Sequence, residues 1–188
     1  MPPCLAAKKR GVIPIDDDVV LEPLRAEHAA ACAALIDANR ERLARWMPWA
    51  AESRTAADVL RYIEAVDDYR ARDAGDAFAV LVRGVFAGAI DLHDLNRVND
   101  VAAIGYWLGE AFGGRGVMTR AVRAIAERAF RHDGVHRLEI LAAAENAPSR
   151  AVAERAGFGL EAILRGRLRT QLGYEDGALY VRFRDEGA

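Results

Sequence analysis

Only two cysteines, Cys4 and Cys32, occur along the chain, fewer than a small disulfide-stapled secreted scaffold uses. Two thiols cannot build a zinc site without histidine partners, and neither H-E-x-x-H nor C-x-x-C is present, so no metal is expected. No apolar run approaches the ~20 residues of a membrane span. Neither sign of charge dominates: 26 basic against 28 acidic residues leave a net charge of −2. No global field therefore draws the chain to nucleic acid or to an anionic membrane. Lys8-Lys9-Arg10 is followed by a short apolar stretch, Gly11 to Ile15, that runs into Asp16-Asp17-Asp18. That stretch is too short for a secretory leader, and the expected compartment is the cytoplasm. A Walker loop is absent, because no Gly-Lys-Ser/Thr follows the glycines. A dinucleotide fingerprint is absent too, because the glycine-rich stretch comes late and lacks its third glycine.

What is present is the balance of a globular enzyme, with 52% apolar and 29% charged residues over 188 positions. That length suits a single domain, expected over 18–186 after a loose leader at 1–17. Val19–Pro23 reads as a first strand. Ala26–Asn39 is helical, with Ala29, Cys32, Ala33 and Ile36 at i, i+3, i+4, i+7. A second helical piece, Arg40–Trp46, ends before Pro48. Thr55 with Asp58 predicts a helix start; Val59, Ile63, Val66 and Tyr69 would share that helix's buried face, and Gly75 would follow its end.

Ala77–Val82 and Val85–His93 are β-like runs around Arg83-Gly84, a hairpin signal. A polar loop at Leu95–Asp100 leads to a third strand, Val101–Leu108. Thr119–His132 is an amphipathic helix with Val122, Ile125, Ala126 and Ala129 on its apolar stripe and Arg123, Glu127 and Arg131 spaced for ion pairs. A buried strand, Arg137–Ala143, precedes a short helix capped by Asn146, with Pro148 in its first turn and Gly157 at its end. Strands at Leu160–Arg169 and Ala178–Arg184 would flank a turn at Gly173-Tyr174-Glu175-Asp176-Gly177. This order predicts a mixed α/β sheet with one strand–helix–strand crossover.

The chemistry concentrates where Ile104-Gly105-Tyr106-Trp107-Leu108 runs into Gly113-Gly114-Arg115-Gly116-Val117-Met118-Thr119. Glycines opening a helix leave free N–H groups at the positive end of its dipole, an anion site that a diphosphate can approach closely. The alternative reading is a tight strand–helix turn. The segment Asn146-Ala147-Pro148-Ser149 through Gly157-Phe158 is the second landmark. Leu21-Glu22-Pro23-Leu24, Trp46-Met47-Pro48-Trp49 and the strand bearing Tyr180 complete the set.

In this order and spacing, the landmarks resemble the GNAT acetyltransferases, and among them the RimJ/RimL branch, from about Val19 to Arg184. The resemblance implies the GNAT fold, a central, mostly antiparallel twisted sheet with splayed central strands flanked by helices. It implies acetyl-CoA as co-substrate and direct acetyl transfer to an amine, with no metal. The acceptor would be the N-terminal α-amine of a ribosomal protein. A small amine, or CoA binding without turnover, stays open, as does a homodimer.

By the same resemblance, Trp107 and Leu108 would pair with the pantetheine arm, Gly113, Gly114, Arg115, Gly116, Val117, Met118 and Thr119 would hold the diphosphate, and Asn146 would reach a pantetheine amide. Gly113 and Met118 depart from the usual first and last residues of that loop. The tyrosine acid of many relatives is replaced by Ala153, which leaves Ser149, near the CoA sulfur, as proton donor. Two glutamate positions used elsewhere are Leu168 and Leu141. Asp91 and His93, two apart on one strand face, are the candidate base, with an ordered water chain as the alternative. Trp46, Trp49 and Tyr106 would line the acceptor groove; core packing is the competing reading for the tryptophans.

Overall fold

The computed structural model describes residues 11–185; the start of the expected leader and Cys4 lie outside them. Eight strands form one sheet in the order β1-β2-β3-β4-β5-β6-β8-β7. They are β1 (Ile13–Pro14), β2 (Val19–Pro23), β3 (Asp76–Val82), β4 (Val85–Asn96), β5 (Val101–Leu108), β6 (Arg137–Ala143), β7 (Gly159–Thr170) and β8 (Gly173–Phe183). All neighbours are antiparallel except β5 and β6.

Two apolar layers sandwich the sheet. On one face, α1 (Ala29–Ala38) and α4 (Ala56–Ala71) pack Cys32, Ile36, Val59 and Ile63 onto Ala77, Ala79 and Phe86. Two short helices, α2 (Arg40–Ala44) and α3 (Trp49–Glu52), turn the corner between them. On the other face, α5 (Val117–His132) and α6 (Ala147–Arg155) cover Phe78, Ile90, Ile104 and Leu138. Alternation along each strand assigns its side chains to the two layers. Along β5, Ala102 and Ile104 join the α5/α6 layer and Trp107 the α1/α4 layer.

The capping box at Thr55 is formed, with Asp58 N–H donating to Thr55 Oγ1 at 3.2 Å and Thr55 N–H to Asp58 Oδ2 at 2.8 Å. Asn146 Oδ1 likewise accepts from Ser149 N–H at the start of α6. Tyr180, fully buried, fixes α6 from below: its hydroxyl donates to Glu154 Oε1 at 2.7 Å and accepts from Arg150 Nε at 3.0 Å.

Five expectations are corrected. Part of the expected leader belongs to the sheet: Ile13 and Pro14 pair with Leu21 and Val20, and Asp16 Oδ1 accepts from the N–H groups of Asp18 and Val19. Tyr69 is 49% exposed rather than on the buried face of α4. Gly75 is no helix terminator, because α4 ends at Ala71; a Cβ there would meet Leu92 O at 2.5 Å, so close strand approach explains it. The expected turn at 173–177 is strand, and β7 and β8 join around Gln171-Leu172. Of the two expected ion pairs on α5, Glu127–Arg131 forms at 2.9 Å, whereas Arg123 turns to Arg155 O on α6.

Candidate active site

The site begins where two strands part. β5 and β6 pair only over Val101–Ala103 and Arg137–Glu139. From Ile104 onward, no strand among the described residues pairs with that edge of β5, while β6 continues with β8 as far as Ala143. A gap therefore opens in mid-sheet, with backbone donors and acceptors of β5 facing it. Leu108 O, at its end, accepts from Arg42 Nη2 on α2. Asn39 Oδ1 accepts from Glu110 N–H at 2.8 Å, tying the α1–α2 corner to the same segment.

The glycine-rich loop closes one end of this gap. Gly114 (φ 72°) and Gly116 (φ 68°) both take the left-handed conformation that other residues adopt at a cost. Gly116 is the N-cap of α5, sixteen residues long, whose first N–H groups have no intrahelical partner. Val117, Met118 and Thr119 point their side chains into the core, so only their backbone can face an anion. Thr119 Oγ1 is buried there without a hydrogen-bond partner. Gly113, Gly114 and Arg115 are exposed. Arg120, a residue the sequence reading missed, braces the loop: its Nη1 donates to Arg115 O at 3.0 Å while its Nε lies 2.8 Å from Asp16 Oδ2. A diphosphate-sized anion fits this arrangement of free N–H groups, glycines and a helix start.

The candidate catalytic groups fall on opposite faces of β5. On the α5/α6 face, the Tyr106 hydroxyl donates to Ser149 O at 3.0 Å and lies 3.2 Å from Ser149 Oγ. Its one proton being spent on the carbonyl, it accepts from the serine. Burial pushes the Tyr106 phenol up to about 12. Tyr106 also borders the groove on the far side, so its expected place in the acceptor wall is only half of its position.

On the α1/α4 face, Asp91 and His93 stand together, with Asp91 Oδ1 3.8 Å from His93 Nε2. Gly105 N–H donates to Asp91 Oδ1 at 3.0 Å, and the Tyr62 hydroxyl donates to Oδ2 at 3.3 Å. Burial raises the Asp91 carboxyl above the usual carboxylate range, against the pull of His93 and these two donors. A Cβ on Gly105 would sit 2.6 Å from Asp91 Oδ1, so a larger residue there would displace this carboxylate. Tyr62 was missed in the sequence because it lies just off the expected buried face of α4.

These groups belong to one cavity of about 510 Å³. Trp49, Trp107, Met47, Ile36 and Val59 form its apolar walls, and Asp91, His93 and Tyr62 its polar end. Trp49 and Trp107 meet edge-on at 6.1 Å. Trp46 is corrected: it is not in the cavity wall, and its ring lies under the Arg45 guanidinium at 4.5 Å.

A family model for the acetyltransferase (GNAT) domain matches residues 18–159. The chain belongs to the GNAT acetyltransferase family. It is thus an N-acetyltransferase with acetyl-CoA as donor, and the splayed sheet is the fold expected of that family. YdaF of Bacillus subtilis (strain 168), a candidate ribosomal N-acetyltransferase, is 36% identical over 147 residues, 77% of this chain and 79% of YdaF. The ribosomal-protein-serine acetyltransferase of Escherichia coli (strain K12) is 25% identical over 173 residues, 92% of this chain and 97% of that one. A solved RimL structure, the ribosomal L7/L12 alpha-N-protein acetyltransferase in complex with coenzyme A, superposes with a TM-score of 0.88 at 24% identity, covering 92% of this chain and 97% of RimL.

Proposed function

We propose that this GNAT enzyme acetylates the N-terminal α-amine of a protein chain. The observation that carries the reading is the cavity beside the β5–β6 gap, which offers a carboxylate and no lysine or arginine among its lining residues. A cationic amine is attracted to such a site and an anionic acceptor is not. The names of the B. subtilis and E. coli relatives support a ribosomal protein as acceptor. The strength of the base supports an α-amine, whose pKa of ~7.7–8.0 lies well below the ~10.4 of lysine.

The amine must be neutral to attack. Asp91 accepts one proton from the ammonium and passes it through His93, the more exposed of the two, to solvent. The nitrogen–carbon bond then forms as the carbon–sulfur bond breaks. The second proton leaves the nitrogen, and one arrives on the departing sulfur. Ser149 supplies that one, re-aiming the hydroxyl now held by Tyr106, and is made good by the proton that the nitrogen gives up. Base on one face of β5 and donor on the other suits attack through the gap. Val117, Met118 and Thr119 contribute backbone N–H groups to the diphosphate, and Asn146 orients the first turn of α6.

Ser149→Ala tests the donor. A hydroxyl that serves mainly a developing thiolate acts on kcat more than on binding. Fully engaged donors of this kind are worth ~10²–10³ in rate. Because a CoA thiolate is a fair leaving group, the expected loss in kcat is about tenfold to a hundredfold, with CoA affinity retained. A kcat within twofold of the parent, with chemistry shown to limit turnover, would leave Ser149 as a helix-start hydroxyl.

Gly116→Val tests the loop. A β-branched residue at φ 68° is strained, and its side chain occupies the anion's approach. CoA affinity by calorimetry should fall at least ~10-fold in a variant whose circular dichroism shows it folded. Unchanged affinity would remove the diphosphate from this loop.

A further inference from the structure

The cavity beside Asp91 is larger and more apolar than an amine alone requires. Its volume of about 510 Å³ is that of a small-molecule pocket. Leu24, Ile36, Met47, Trp49, Val59 and Trp107 line it, and its titratable pair, Asp91 and His93, sits together at the β4–β5 end. A serine or alanine side chain would leave most of this wall uncovered. A polyamine would bring a second cation against apolar surface, which is costly. A free amino acid would bring a carboxylate that finds no lysine or arginine among the lining residues.

We infer that the acceptor is a polypeptide whose first residue carries a large apolar side chain, such as Leu, Met or Phe, seated between α1, α4 and β4–β5 with its ammonium at Asp91. The inference rests on the N-terminal acetyltransferase reading and adds the identity of the first residue. Specificity then arises from two features at once. The carboxylate fixes the nitrogen next to the β5–β6 gap, and the apolar wall rewards burial of the neighbouring side chain. The amide that replaces the carboxylate of a free amino acid is neutral, so the rest of the chain leaves through the mouth of the cavity uncharged at that point.

The test is thiol release from saturating acetyl-CoA with hexapeptides identical except for a first residue of Leu, Phe, Ala or Ser, alongside free leucine and spermidine. The expected kcat/KM for Leu and Phe is roughly tenfold or more above that for Ala and Ser, since even one methylene in such a pocket discriminates ~10-fold or more. Free leucine should be inert. Equal or better turnover of Ser or Ala peptides would overturn the pocket and leave N-terminal acetylation standing. Turnover of spermidine with every peptide inert would overturn both.

Val59→Phe, which fills the cavity from α4, should bring the Leu-to-Ala ratio down to about one. That ratio is measured within one preparation, so a partly folded variant does not distort it. If Val59→Phe yields no folded protein, Ala89→Val fills the same cavity from β4. An unchanged ratio in a folded filling variant overturns the inference.

Discussion

Asp91→Asn is expected to lower kcat/KM by ~10²-fold or more at neutral pH, the range a positioned general base supplies. Asparagine keeps the size of the side chain and can still accept from Gly105 N–H, so the cavity wall survives. What it cannot do is take a proton. The pH dependence carries the sharper signature. Burial raises the Asp91 carboxyl, so the acid limb of the parent's kcat/KM profile should lie above that of an ordinary carboxylate. In the variant that limb should vanish. The stability sign runs the other way. A carboxyl whose folded pKa is raised binds more protons folded than unfolded, so it costs stability once pH exceeds its unfolded pKa, and the full cost applies above the folded pKa. Removing the charge should therefore leave the melting temperature at neutral pH unchanged or higher. Loss of activity with a lower melting temperature would point to damage of the cavity, and retained activity would leave the base to ordered water.

What the sequence could and could not reveal follows from which forces are local. The strand Val101–Leu108 and the helix to His132 were legible because β-branched and aromatic density in one, and a strong 3.6-residue stripe in the other, are properties of the segments themselves. The caps at Thr55 and Asn146 were legible for the same reason, since donor and acceptor are three residues apart. β1 was not: two residues, Ile13 and Pro14, make no pattern, and only pairing with β2 makes them a strand. Gly173 to Gly177 has every mark of a turn. Yet Gly177 pairs with Ala143, and a Cβ on it would meet Leu141 Cδ1 at 2.8 Å. Its glycine answers to packing rather than to a bend.

The site divides in the same way. Asp91 and His93 could be paired by strand alternation, and the glycine loop by its composition. Tyr62 and Asp16 act across 29 and 104 positions, and no spacing rule reaches that far. The two tryptophans of Trp46-Met47-Pro48-Trp49 show the limit of a motif. Pro48 starts the one-turn helix α3, which turns Trp49 toward the cavity while Trp46 stays behind under Arg45.

The largest expected effect on stability comes from Asp76, at the foot of β3. Its side chain is 4% exposed and receives Arg70 Nε at 2.6 Å, with Arg128 Nη2 3.5 Å away on Oδ2. Arg70 is itself largely buried and also donates to Leu24 O at 2.9 Å and Ala77 O at 2.6 Å. One carboxylate thus anchors the C-terminal turn of α4 and touches α5 through Arg128. Those are the helices that carry Tyr62 and the glycine loop. Asp76→Ala takes the central anion from two largely buried guanidinium groups, leaving Arg70 with Asp67 at 2.7 Å and Arg128 with Asp133 at 3.6 Å. Breaking a buried pair typically costs ~3–5 kcal/mol when a charge is left uncompensated; the remaining partners Asp67 and Asp133 place this loss at about the lower end, against ~5–15 kcal/mol for a whole domain. Urea titration should register that loss as a lower midpoint with an unchanged slope. A change within ~0.5 kcal/mol would show the arginines to be solvated like ordinary surface charges. Adding Arg70→Met to Asp76→Ala removes the cation that lost its buried partner and replaces it with apolar volume, so part of the lost stability should return. The recovery will stay incomplete, because in the double variant Leu24 O loses the Arg70 donor and Ala77 O keeps only the Leu24 N–H.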